Sequence, residues 1–285
     1  RYVRGIYRKR STDTEESIMA NAVAKAKGVE VSTNVMDDIL DFAGEGAVFD
    51  SSEMQIPFLR IAQALSPQLN KKKPEHIEGI SSGDMYNTVT NEYFDGEEGV
   101  TLVPCYQTTK YLAFIPREQG GGFQGEIPAN DPILTRTERQ GSKEILPTGN
   151  ELVKSDQHYC LLLSSDGSFQ PVVVDMKSTQ LKVSRRWKTQ IAMQKIPHPK
   201  TEKLITPPVF ATSWKLTTTE ESNDQGTWAN YQIAKVGLLD NRDVLLEAKA
   251  FRDSVAAGEV KAVKDPDHDQ SESQSSIDPE NEIPF

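Results

Sequence analysis

The apolar positions of this chain change their spacing several times, and each change marks an element. VTLVPCYQTTKYLAFIP, residues 100–116, is rich in β-branched and aromatic side chains. It predicts a strand, with Pro104 implying a bulge or an edge position. HYCLLLSSDGSFQPVVVDM, residues 158–176, reads as two strands about the turn Asp166-Gly167, a strong hairpin signal. In STQLKVSRRWKTQIAMQKI, residues 178–196, Val183, Trp187 and Ile191 recur every four residues. That spacing predicts an amphipathic helix, with Ser178 as N-cap and Pro197 and Pro199 ending it. VFATSWKLTTT (209–219) and TWANYQIAKVGLL (227–239) are two further strands joined by the polar turn EESNDQG. A last helix, NRDVLLEAKAFRDSVAAG, closes at Gly258.

Upstream, STNVMDDILDFAG predicts a short helix with Ser32 or Thr33 as cap, in a span of few aromatics that reads as an arm. IPFLRIAQALSPQLNKKKP predicts a second helix, in which Phe58, Ile61, Ala62 and Leu65 share a face before Pro67 ends it. The main order is then strand, strand, strand, helix, strand, strand. That is the succession of a five-stranded OB-fold barrel with its helix between strands three and four, within a mainly β, α+β chain; such barrels commonly bind oligonucleotides. Another small β-barrel or a mixed α+β sheet gives the same order, whereas a helical bundle or a doubly wound sheet does not. The predicted domains are a flexible arm at 1–54, an OB-fold-like domain at 55–258 and a disordered acidic tail at 259–285. An insertion at 117–157 begins REQGGGFQG, where Phe123 is an isolated aromatic in a flexible loop placed to clasp a ligand.

Composition sharpens this picture. A hydrophobic share of 36% in 285 residues supports a core with some chain left outside it. No apolar run reaches membrane-spanning length and no secretory leader is evident, so the expected location is the cytoplasm, without membrane partners. Met19 followed by ANAVAKAKG reads as a natural start, and residues 1–18 receive no role. Cys105 and Cys160 lie in apolar strands and are expected to be reduced, buried thiols.

Charge is unevenly placed. The formal net charge is −10, yet from Asp265 to Phe285 there are seven acids and no Lys or Arg. From Lys177 to Lys215, by contrast, nine bases stand against the single acid Glu202, interleaved with Trp187, Phe210 and Trp214. A charge run is often only a solvated helix face. Concentrated cations beside aromatics are also what a groove for phosphates and stacked bases requires. The candidate contacts are Lys182, Arg185, Arg186 and Lys188 on the predicted helix, Lys110, Tyr106 and Tyr111 on the first strand, Trp214 and Lys215 on the fourth, and Phe123. Trp187 and Trp214 share the apolar parity of their elements, which favours the core over a base platform for both.

The chain ends DPENEIPF, an apolar Ile283-Pro284-Phe285 after an acidic run. This ending resembles the C-terminal tip of bacterial and phage single-stranded DNA-binding proteins. QIPFLRIAQALSPQL and STQLKVSRRW are similar to runs in phage-encoded members. The resemblance implies an OB-fold that holds the strand and a tip, here Asp278, Glu280, Glu282, Ile283, Pro284 and Phe285, that recruits a polymerase, primase-helicase or nuclease. It further implies a role in replication, recombination or repair in a host cytoplasm, with no cofactor; a homodimer is compatible. Physically, a polyanion with little apolar area stays extended, and its acids and final ring suit a basic-rimmed pocket on a partner.

Two other classes compete. Asp175-Met176-Lys177 has the D-x-K spacing of some Mg²⁺-dependent nucleases, which need a second carboxylate; Asp156 or Asp166 could supply it. His158 is expected to be structural, and the four scattered histidines do not suggest zinc. A phage structural or scaffolding protein would use the tail for assembly but has no need of the basic, aromatic zone. The expected protein is a non-enzymatic binder of single-stranded DNA.

Overall fold

A computed structural model describes residues 33–42 and 55–262, except 142, 225 and 261. The chain divides into two compact units, residues 1–50 and 51–285. In the first, α1 (Thr33–Asp41) is a strongly amphipathic helix of about two and a half turns whose Val35, Ile39 and Leu40 are exposed. The described part of the second unit contains all the strands and two helices. Its elements are β1 (Leu59–Ile61), β2 (Met85–Asn87), β3 (Tyr93–Phe94), β4 (Val100–Phe114), β5 (Phe123–Ile127), β6 (Glu138–Gln140), β7 (Lys143–Ile145), β8 (Glu151–Leu163) and β9 (Phe169–Lys177). They continue with α2 (Gln180–Ala192), β10 (Ile196–Pro197), β11 (Leu204–Ile205), β12 (Thr212–Asn223), β13 (Gly226–Leu238) and α3 (Arg242–Ala257).

The long antiparallel pair β4–β8 is the spine of an eight-stranded sheet. At one end the order across it is β13-β12-β4-β8-β9; at the other it is β5-β4-β8-β7-β6. The register slips between Pro104 and Tyr106, the bulge that a proline without an N–H predicts there. The architecture is mixed α/β, mostly strands, and the sheet is not closed into a barrel. Closure would pair β9 with β13, and no such ladder occurs among the described residues. The segment around β1 spans that opening instead. Phe58 bridges to Val173 of β9, and the Gln63 side chain donates to the Ala229 carbonyl of β13 and accepts from its N–H, at 2.8 and 2.9 Å.

Helices cover opposite faces of the sheet. Beneath α2, Trp187 packs with Leu102, Cys160, Leu162, Val174, Met176, Trp214 and Leu216. Beneath α3, Val244, Ala248 and Phe251 pack on Val103, Cys105, Tyr159, Leu161 and Val173. Asn241 caps α3 through the amides of Asp243 and Val244, and Gly258 ends it in the left-handed conformation. Both cysteines are buried and free, one on each face. Burial pushes the Cys105 thiol up to about 12 and that of Cys160 well above its usual range, so both are inert.

Three expectations need correction. The predicted helix after residue 55 is not formed: Ile56, Phe58, Leu59, Ile61 and Ala62 are all buried, while Leu65 is 73% exposed. A segment covered on both sides suits a short strand wedged between layers, not a helix with one apolar stripe. The insertion at 117–157 is ordered as β5, β6, β7 and the first half of β8, which lengthen the sheet. Ser178 is no N-cap. It sits at φ 48°, and the Gln180 side chain accepts from the Lys177 N–H at the helix start.

Candidate nucleic-acid interface

The register of the spine decides which predicted residues meet. Asp156 pairs with Thr109 and Lys154 with Tyr111, and Trp187 of α2 stacks on His158 with centroids 4.6 Å apart. By strand alternation, Gln107, Thr109, Tyr111, Lys154, Asp156 and His158 therefore face α2. Tyr106, Lys110, Asp175 and Lys177 face α3.

The α2 side holds a buried polar cluster that the sequence reading missed. Asp156 Oδ2 accepts from Ser184 Oγ at 2.7 Å and from Lys188 Nζ at 2.6 Å, and its Oδ1 accepts from Thr109 Oγ1 at 2.7 Å. Because the Ser184 hydroxyl donates to Asp156, the 2.8 Å contact between His158 Nε2 and Ser184 Oγ has the imidazole as donor. Burial pushes the Asp156 carboxyl up, but its bonds from Lys188, Ser184 and Thr109 and the Lys188 charge prevail and hold it below the usual range. His158 is drawn down to about 4, chiefly by burial.

The cations of α2 differ in what holds them. Lys182 pairs with Glu221 at 2.8 Å and Lys188 with Asp156. Arg185 and Arg186 are exposed and make no ion pair among the described residues. Arg185 lies one turn from Lys188 on the flank above Thr109 and Asp156. The structure thus gathers Lys182, Arg185, Arg186, Lys188 and Tyr111 on one side, and brings Lys154 to them.

Other candidates lie elsewhere. Trp187 and Trp214 are fully buried, 6.1 Å apart edge to face, and pack in the core. At the end of α2, Trp214 also lines a cavity of about 340 Å³ with Thr189, Gln190, Met193, Gln194 and Lys235. Tyr106 and Lys110 are on the α3 side, where Tyr106 packs on Tyr159 and Lys110 pairs with Glu126 at 2.7 Å. Lys215 points to that side too and donates to the Gly99 carbonyl. Phe123 is a β5 residue packed on Phe114, not the tip of a flexible loop, because β5 pairs with β4. The tip residues Asp278, Glu280, Glu282, Ile283, Pro284 and Phe285 lie outside the described residues.

The D-x-K constellation does not assemble. Asp175 accepts from Ser155 and pairs with Lys177 at 3.4 Å on the α3 side, whereas Asp156 points to the α2 side. Asp166 is at the hairpin tip, occupied by Ser168. Among the described residues no group of three His, Cys, Asp or Glu side chains is placed to hold a metal ion. No described helix is long and apolar enough to cross a membrane.

Compared with known proteins, the chain is matched over residues 25–261 by the family described as Pam3 phage gp34-like protein. No curated protein and no solved structure matches it significantly.

Proposed function

The chain belongs to the Pam3 phage gp34-like protein family, and from that premise we propose that it binds single-stranded DNA, without strong sequence preference, along the Arg185 flank of α2. The observation that carries this reading is the unequal state of the helix cations. Lys182 and Lys188 already have carboxylate partners, while Arg185 and Arg186, which project about 100° apart around the helix, are both exposed with none among the described residues. Guanidinium groups without a carboxylate partner are free to take phosphates of a strand that runs along the helix, which releases counterions.

The strand order and the Ile-Pro-Phe ending support the same reading, since both resemble phage single-stranded DNA-binding proteins. In this reading the barrel-like half is an incompletely closed OB-fold. The tip from Asp278 to Phe285 recruits replication or recombination enzymes and does no chemistry itself. The nuclease alternative is weakened by Asp156 and Asp175 lying on opposite faces of the sheet.

Charge reversal tests the claim. The double variant Arg185→Glu with Arg186→Glu is expected to bind oligo-dT several-fold more weakly in fluorescence anisotropy. Its plot of log K against log salt should be shallower by about 1.4, two phosphates at roughly 0.7 each. Unaltered affinity and slope would remove α2 from the interface.

A further inference from the structure

Resting on the reading that α2 holds phosphates, we propose that Tyr111 and Lys154 form the second wall of the same interface. Tyr111 is a platform for one base and Lys154 a second phosphate contact, while Lys188 is a strut that touches no DNA.

The rungs of the spine differ in what covers them on the α2 side. The His158 and Asp156 rungs lie under the helix, through Trp187 stacking and the Ser184 and Lys188 bonds. Two rungs further on, Ala113 and its partner Leu152 are buried under Leu146. Between them lies the Tyr111–Lys154 rung, roughly 7 Å from each by strand rise. Lys154 is exposed there and makes no ion pair among the described residues. Tyr111 is half-buried, with part of its side chain packed on the Leu146 cluster.

The result is an interruption in the cover of the sheet, with Arg185 on one bank and the lobe of Leu146 on the other. Its charge is positive. Asp156 is buried and already neutralised by Lys188, and Glu144, on the same face opposite Leu152, stands across from Arg139 of β6, while Arg185 and Lys154 make no ion pair among the described residues. An aromatic ring between two free cations is the arrangement that stacks a base while its flanking phosphates are held. Bases can reach such a floor only when unpaired. Lys188 cannot serve the same role without vacating Asp156, which would leave a buried carboxylate short of its strongest partner.

The test uses the full chain and two ligands, an oligo-dT and a matched oligonucleotide of abasic sites, each titrated across salt concentrations. Lys154→Ala should weaken both ligands and reduce the salt slope by about 0.7. Tyr111→Ala should weaken oligo-dT by about five- to 150-fold, the span of base stacking on aromatic rings, leave the abasic ligand unchanged, and be rescued by Tyr111→Phe. Lys188→Met should lower the unfolding midpoint and leave the salt slope at the wild-type value. A wild-type slope for Lys154→Ala, equal losses on both ligands for Tyr111→Ala, or a reduced slope for Lys188→Met would overturn the proposal. If Arg185 and Arg186 reversal weakens binding while Lys154→Ala and Tyr111→Ala do not, only this second wall is wrong. If the wild type binds neither ligand, the parent reading has failed.

Discussion

At the scale of single residues, the molecule turns on Asp156. Its carboxylate is buried, and it accepts from Thr109, Ser184 and Lys188, so one side chain ties β4, β8 and α2 together. Asp156→Ala leaves the buried Ser184 hydroxyl, the half-buried Thr109 hydroxyl and an ammonium without their acceptor. A loss of about 3 kcal/mol in unfolding free energy is expected by urea denaturation. His158 behind it makes stability depend on pH. Its folded pKa of about 4 lies below the ordinary 6.5, so between those values the unfolded chain takes up a proton that the folded one refuses. Stability should therefore rise from pH 4 to pH 6.5 by about 3 kcal/mol and then level off. His158→Gln should flatten that window in denaturant titrations. Asp156, held below its usual range, adds a second loss of stability only at still lower pH.

At the scale of elements, local signals were legible and distant pairings were not. α2 could be read from the four-residue spacing of Val183, Trp187 and Ile191, and the end of α3 from Gly258. The Asp166-Gly167 hairpin and the Pro104 bulge follow from the backbone demands of those residues alone. β1 could not be read, because its burial on both sides depends on strands far along the chain. β6 is fully exposed and polar, and it exists only as the outer partner of β7. The site divides the same way. The helix cations stand out as a charge run, but Lys154 is one lysine in a predicted loop insertion until the register sets it opposite Tyr111. A packing test belongs here. A Cβ on Gly96 would sit 2.2 Å from both the Gly83 carbonyl oxygen and Thr218 Oγ1, where the loop before β4 meets β12. Gly96→Ala should cost about 1–3 kcal/mol or more by overpacking, whereas Gly121→Ala, with open space around it, should cost only about 1 kcal/mol for its left-handed φ of 69°. Equal midpoints for the two variants in thermal melts would contradict that contact.

At the scale of the whole molecule, the proposal separates a cationic flank on the sheet from an anionic chain end. Removing Asp278 to Phe285 should leave affinity for oligo-dT unchanged or raise it, and should abolish binding to the replication enzyme it recruits, read by surface plasmon resonance with purified polymerase. The most direct test of the central claim is a paired titration of the full chain with oligo-dT and with a duplex of equal length at low ionic strength. The account predicts clearly tighter binding to the unpaired strand, weakening by about 0.7 in log K per phosphate for each decade of salt. Equal affinity for the two, or none for the single strand even after the acidic end is removed, would contradict it.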